Sequence, residues 1–238
     1  GLRDMGVGLG GDGRVDCRLM MGAADRLRIE EKQMKKLRHI IVELAHHFPF
    51  SLFGVAIGMI VTGLLTFFAT LMSAEAMLAT AAQELFHVLH PVHILFSAVA
   101  STAMFWKHEK RWFKAVVVGL FGSLSICGVS DVLIPFFGGM MLGQKMQMHI
   151  CLISHPGLIL PFAFLGVLAG LFMNKAVEHS TEYSHSAHVM VSSMASLLYL
   201  IAFGLQDWTH LAGGVFIVTL VAVMIPCCAS DRSEERRV

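Results

Sequence analysis

The stretch ELFHVLHPVHILF, residues 84–96, sets Glu84, His87, His90 and His93 three residues apart and then runs apolar to Trp106. At about 100° per residue, three-residue steps keep all four side chains within roughly half of a helix surface, so one neighbouring element can meet them together. Neutral imidazole is the commonest metal ligand and suits zinc, nickel, copper and iron, while a nearby carboxylate adds charge that holds a divalent ion. An external capture site for a transition-metal cation is expected from these four, joined by His149 and by His155 of HPGLILPF. One interfacial histidine on its own simply meets water or headgroups. The group as a whole points to ligation, because polar side chains in apolar spans are costly and tend to be functional.

A second set, Glu178, His179, Glu182, His185 and His188, is expected to receive the ion on the other side, with Glu178, Glu182, His185 and His188 on an arc of roughly 120°. Glu84-x-x-His87 and Glu182-x-x-His185 are each the pair that di-iron bundles use twice. Loop charges place the two pairs on opposite faces, so one shared di-iron centre is not expected. Between the sets lies Asp131, in SICGVSDVLIPFFGGMML, with Gly128, Pro135, Gly138 and Gly139 around it. A carboxylate that deep must be paired or wet, and its glycine and proline neighbours predict a broken helix on the path of an ion or proton.

Softer ligands are also present. Met146 and Met148 stand in Met-x-Met spacing beside His149 and Cys151, which suits Cu(I), although methionines in an apolar chain also serve as flexible packing. The five cysteines show no CxxC spacing, so a disulfide framework or a thiolate zinc site is not expected. Ser192, Ser193 and Ser196 are read as small residues for close helix packing.

The elements that must position these groups are set by composition. Of 238 residues, 55% are hydrophobic and 15% charged, with a mean hydropathy of +0.68, more apolar than a soluble domain can bury. The fold class is an all-α integral membrane protein of about six transmembrane helices. Spans of about 20 apolar residues are expected near 50–72, 88–106, 115–142, 149–173, 187–206 and 210–229. Lysine and arginine cluster at Arg26–Arg38, at Lys107, Lys110, Arg111 and Lys114, and at Arg232, Arg236 and Arg237, which alternate as both termini cytoplasmic requires. An inner (plasma) membrane location is expected. Cleavage of the first span near Ser73-Ala74-Glu75-Ala76 is the rival, but its apolar run exceeds a signal-peptide core.

Residues 1–33 are glycine-rich and charged and change abruptly at Met34, so they are read as a non-native extension or a disordered segment, with translation expected to start at Met34. Residues 34–49 form a basic juxtamembrane segment, 50–229 the six-helix domain and 230–238 a cytoplasmic tail. HPVHILF at 90–96 and HPGLILPF at 155–162 suggest that spans two and three repeat as four and five, each opening with proline in its first turn.

These features favour a transporter or permease component for a divalent transition metal (zinc, nickel, cobalt or manganese) or copper. Its expected partners are the bilayer, the ion, and a second copy or partner subunit. The alternatives are a haem b electron carrier, pairing His93 with His155 and His47 or His108 with His188, and a non-catalytic accessory subunit. A metal-water enzyme is less expected, since no H-E-x-x-H or nucleophile elbow occurs. The net charge of +1 argues neither for nor against an acidic partner, and nucleic acid is not an expected partner because the chain lacks a basic patch with interleaved aromatics.

Overall fold

The computed structural model describes residues 13–172, 181–205 and 207–235, with side chains chiefly within 31–172, 186–205 and 207–226. The chain divides into two compact units, residues 1–43 and 44–238. Every site residue with a described side chain belongs to the second. The helices are α1 (Gly13–Leu71), α2 (Leu78–His108), α3 (Trp112–Gly128), α4 (Ile134–Met141), α5 (Cys151–Ser154), α6 (Pro156–Phe172), α7 (Thr181–Ala202) and α8 (Ala212–Glu235). No strand occurs among the described residues. Helix α1 begins at Gly13, inside the segment read from sequence as an extension.

Among the described residues, four stretches are long and apolar enough to cross a bilayer: Phe48–Leu71, Glu75–His108, Trp112–Met141 and Trp208–Pro226. Pro156–Phe172, and Ser186–Ala202 within α7, are shorter apolar stretches of the described residues. The distribution of side chains is that of a membrane bundle. Phe53 and Phe121 are 67% and 69% exposed, while Asp131 and His93 are 0% and 2% exposed. An apolar exterior around a polar interior suits hydrocarbon as the surrounding medium and would be costly in water.

Two helices depart from the sequence expectation in ways that matter for chemistry. Helix α2 starts at Leu78 rather than near residue 88, because LATAAQEL is rich in strong helix formers and extends the element upstream. Pro91 therefore sits in its fourth turn, and the helix continues past it without a break. The HP motif of α2 is thus not the helix opening that it is in α6, where Pro156 is the first residue. The predicted break around Asp131 is also absent. Residues Val129–Leu133 form one π-helical turn between α3 and α4, a wider winding that occurs mostly as single bulges at functional positions. Gly138 and Gly139 do not unwind the chain. A Cβ on Gly138 would strike Val218 of α8, and one on Gly139 would strike Met146, so both glycines serve close packing.

Helix α6 lies against α2 through GVLAG, residues 166–170. A Cβ on Gly166 would come within 2.5 Å of the Leu95 carbonyl oxygen, and one on Gly170 within 2.7 Å of that of Val99. Small residues four apart let two helices approach until backbone touches backbone. On the other side of α2 stands α7, with Ala195, Leu197, Leu198, Leu200 and Ile201 buried. Glycines of α1 receive α7 in turn: Gly54 faces Ser193 and Gly58 faces Met194. The Trp208 indole N–H donates to Thr66 Oγ1 at 3.0 Å, tying the turn before α8 to α1.

Candidate metal site and buried histidine network

The histidine ladder of α2 splits into two parts. His87 is half-buried and turns towards His149 and His155, whereas His90 and His93 are buried and turn towards Asp131.

The first part is a triad. Ligating nitrogens of His87, His149 and His155 all lie within 4.8 Å of one another, and His87 Nε2 stands 3.1 Å from His149 Nε2. Nitrogens held at about 2.0–2.1 Å from a tetrahedral zinc ion lie about 3.3–3.4 Å apart, so the 3.1 Å pair already has nearly the required spacing. Glu84 is exposed one turn earlier on α2, close enough to His87 for its charge to be felt there. His155 is exposed at the end of α5, with Pro156 opening α6 directly after it.

His149 belongs to neither helix. The expected fourth span from residue 149 begins as α6 only at Pro156, and residues 143–150 form an extended strap outside the helices. Three contacts fix the strap to the end of α7. The Gln147 N–H donates to the Phe203 carbonyl at 2.7 Å. The His149 N–H donates to Tyr199 Oη at 3.1 Å, and the Tyr199 hydroxyl donates to the Gln147 carbonyl at 3.3 Å. The His149 ring stacks on Phe203, with centroids 4.6 Å apart and planes at 10°. Partial burial first, and then the imidazoles of His87, His155 and His90, hold His149 below the ordinary imidazole pKa. It therefore offers a lone pair where an isolated histidine begins to protonate.

Met146 lies on the same strap but is occupied otherwise, its thioether lodged against Gly139 and Gly204. Cys151 is buried and Met148 is 45% exposed. For Met146 the packing reading is the one that fits, because its sulfur is spent between two glycines.

The second part centres on Asp131. The Nδ1–H groups of His90 and His93 donate to Oδ2 at 2.8 and 2.7 Å. The hydroxyls of Ser130 and Ser192 donate to Oδ1 at 2.7 and 3.3 Å. Four donors saturate what two carboxylate oxygens ordinarily accept. Pro135, five residues after Ser130, has no N–H to give the Ser130 carbonyl, and the Ser196 hydroxyl lies 3.1 Å from that carbonyl and 2.9 Å from that of Ser192, with one proton to share between them. Ser192 and Ser196 are thus polar partners as well as packing residues. Ser193 donates back to the Val189 carbonyl at 2.8 Å.

The network extends to α7. His93 Nε2 and His188 Nε2 are 2.8 Å apart, although the sequence reading put them in outer and inner sets on opposite faces. The longer α2 accounts for the meeting: His93 is fifteen residues from Leu78, about 22 Å along the axis and near the middle of the bundle. Of the inner set, Glu178 and His179 lie outside the described residues, as do the side chains of Glu182 and His185 on α7. Among the described contacts, His188 meets His93, and His155 meets His87 and His149. Asp207 and His210 pair with each other at 3.7 Å while 77% and 82% exposed, taking part in neither site.

Phe86 joins the two parts. It stacks on His90 with centroids 5.1 Å apart and lies 5.9 Å from His87, with Tyr199 and Phe203 edge-on to it. Sequence reasoning passed over Tyr199, Phe203 and the Gly166–Gly170 pair. Only the last carried a readable signal, a G-x-x-x-G in an apolar run. Comparison with protein-family models, with curated proteins and with solved structures finds no match.

Proposed function

We propose that the chain is a multi-pass membrane permease, or a permease component, for a divalent transition-metal cation, captured by His87, His149 and His155 with Glu84 beside them. The observation that carries this reading is the convergence of three imidazole nitrogens within 4.8 Å in an apolar-skinned bundle, with His87 one helical turn from His90, which bonds a buried carboxylate. Three imidazoles so close cannot all be protonated without mutual repulsion, and their lone pairs repel unless a proton or cation stands between them. A cation resolves both conflicts. Borderline-soft zinc, nickel or cobalt suits three nitrogens and an oxygen best.

In this reading Pro156–Phe172 and Ser186–Ala202 complete six spans, with both termini cytoplasmic and the triad facing the outside of the inner (plasma) membrane. Support comes from the basic residues of the α2–α3 connection, where Lys107, Lys110, Arg111 and Lys114 gather. The strap 143–150 then lies outside, and the imidazole triad sits where an ion would arrive.

Zinc movement into or out of vesicles containing the purified protein tests the proposal. The wild type is expected to move zinc at a rate that saturates with concentration. His87→Gln, His149→Gln and His155→Gln are each expected to raise the half-saturating concentration. Movement no faster than in empty vesicles, in both directions, would refute the permease reading.

A further inference from the structure

We propose that Asp131, His93 and His188 form a proton relay through the middle of the bundle, separate from the cation-binding triad, and that protons are the counter-ion of the permease. The counter-ion assignment rests on the permease reading. The relay rests on geometry alone.

His93 has both ring nitrogens engaged. Nδ1–H donates to Asp131 Oδ2 at 2.7 Å, and Nε2 faces His188 Nε2 at 2.8 Å. An Nε2–H···Nε2 bond is symmetric in kind, because either imidazole can be donor or acceptor. Transfer along it breaks an N–H bond on one ring and forms one on the other, moving a single proton and a single charge. When the proton rests on His93, the charge lies against the Asp131 carboxylate, and when it moves to His188 that charge leaves with it. Neither nitrogen of His93 is turned to the triad, so cation and proton use different groups.

A purely structural bond would not need this chemistry. Asp131 already receives Ser130 and Ser192, and hydroxyls alone could anchor it. Instead two imidazoles and a carboxylate, His90, His93 and Asp131, are buried to 4%, 2% and 0% exposure in an apolar bundle, the kind of ionisable cluster that marks proton relays in pumps and transporters. Among the described residues, three titratable groups face the relay from the elements packed on it. His90 on α2 shares Oδ2, the Cys127 thiol of α3 lies beside His93, and Cys151 of α5 is near enough to Asp131 for its charge to be felt.

The experiment uses the full chain in vesicles that contain a pH-sensitive dye, under a potassium diffusion potential, with zinc chloride either present or absent outside. Wild type, Asp131→Asn and His188→Gln are compared, and each variant's zinc affinity and gel-filtration profile are recorded. Proton movement in the wild type, lost in both variants that retain zinc binding, is the expected result. His188→Gln keeps the test alive if Asp131→Asn does not fold. Zinc transport by the wild type with no proton movement would overturn the relay and leave the permease standing, and proton movement unchanged by both substitutions would also overturn it. Proton movement lost in the variants, in a protein that carries no zinc, would uphold the relay and remove the permease reading.

Discussion

At the scale of single residues, the chemistry turns on which way each imidazole faces. His87, His90 and His93 are three-residue steps on one helix, and that spacing made a shared face legible from the sequence. It could not show that the face is divided, because the division depends on Asp131 and the strap, which come from elsewhere in the chain. The pKa of His149 is lowered by burial and by its neighbouring imidazoles, so the folded protein binds fewer protons there than the unfolded chain. Stability from this group is fully present above the ordinary imidazole pKa and is lost as pH falls below it towards the lower folded value. Zinc affinity, measured by isothermal titration from pH 7.5 down to about 5, is expected to fall as protons compete with the ion for the imidazole nitrogens. Zinc affinity unchanged across that range would contradict the assignment. Tyr199 positions His149 through the strap. Tyr199→Phe is expected to weaken zinc binding about tenfold, as loss of a supporting hydrogen bond commonly does, with helix content by circular dichroism unchanged.

At the scale of elements, close approach decides what can meet. Helix α2 reaches α6 because Gly166 and Gly170 present no side chain, and His155 enters the triad one residue before α6 starts. Gly166→Leu is expected to cost about 1–3 kcal/mol through overpacking, read as a lower midpoint of thermal unfolding in detergent. Because it separates His155 from His87, zinc affinity should fall in the same variant. The π turn at Val129–Leu133 was legible only as a disturbance. Glycine and proline around Asp131 announced irregular backbone, but hydropathy does not distinguish a wider turn from a break. The start of α2 was misplaced for a related reason. LATAAQELF is less apolar than the rest of the helix, so a hydropathy boundary falls within it, while helix propensity carries the element back to Leu78.

At the scale of the whole molecule, the apolar exterior and polar interior were foretold by composition, since 55% hydrophobic residues cannot be buried in a chain of this size. Helix order was legible too. What was not legible was the strap 143–150 ahead of Pro156, because an apolar run expected to open the fourth span at residue 149 does not show where its helix begins. The six-span arrangement predicts that single cysteines at Lys145 and Ser73 react with an impermeant maleimide on intact cells, and that one at Lys110 reacts only after lysis. The reverse pattern would invert the triad to the cytoplasmic side.

The most direct test of the account is the zinc content and affinity of the detergent-purified protein, measured by elemental analysis and isothermal titration beside a variant carrying His87→Gln, His149→Gln and His155→Gln together. The account predicts about one zinc per chain, the number a single three-histidine site would hold, lost in the variant. No bound metal, or zinc retained undiminished in the variant, would contradict it.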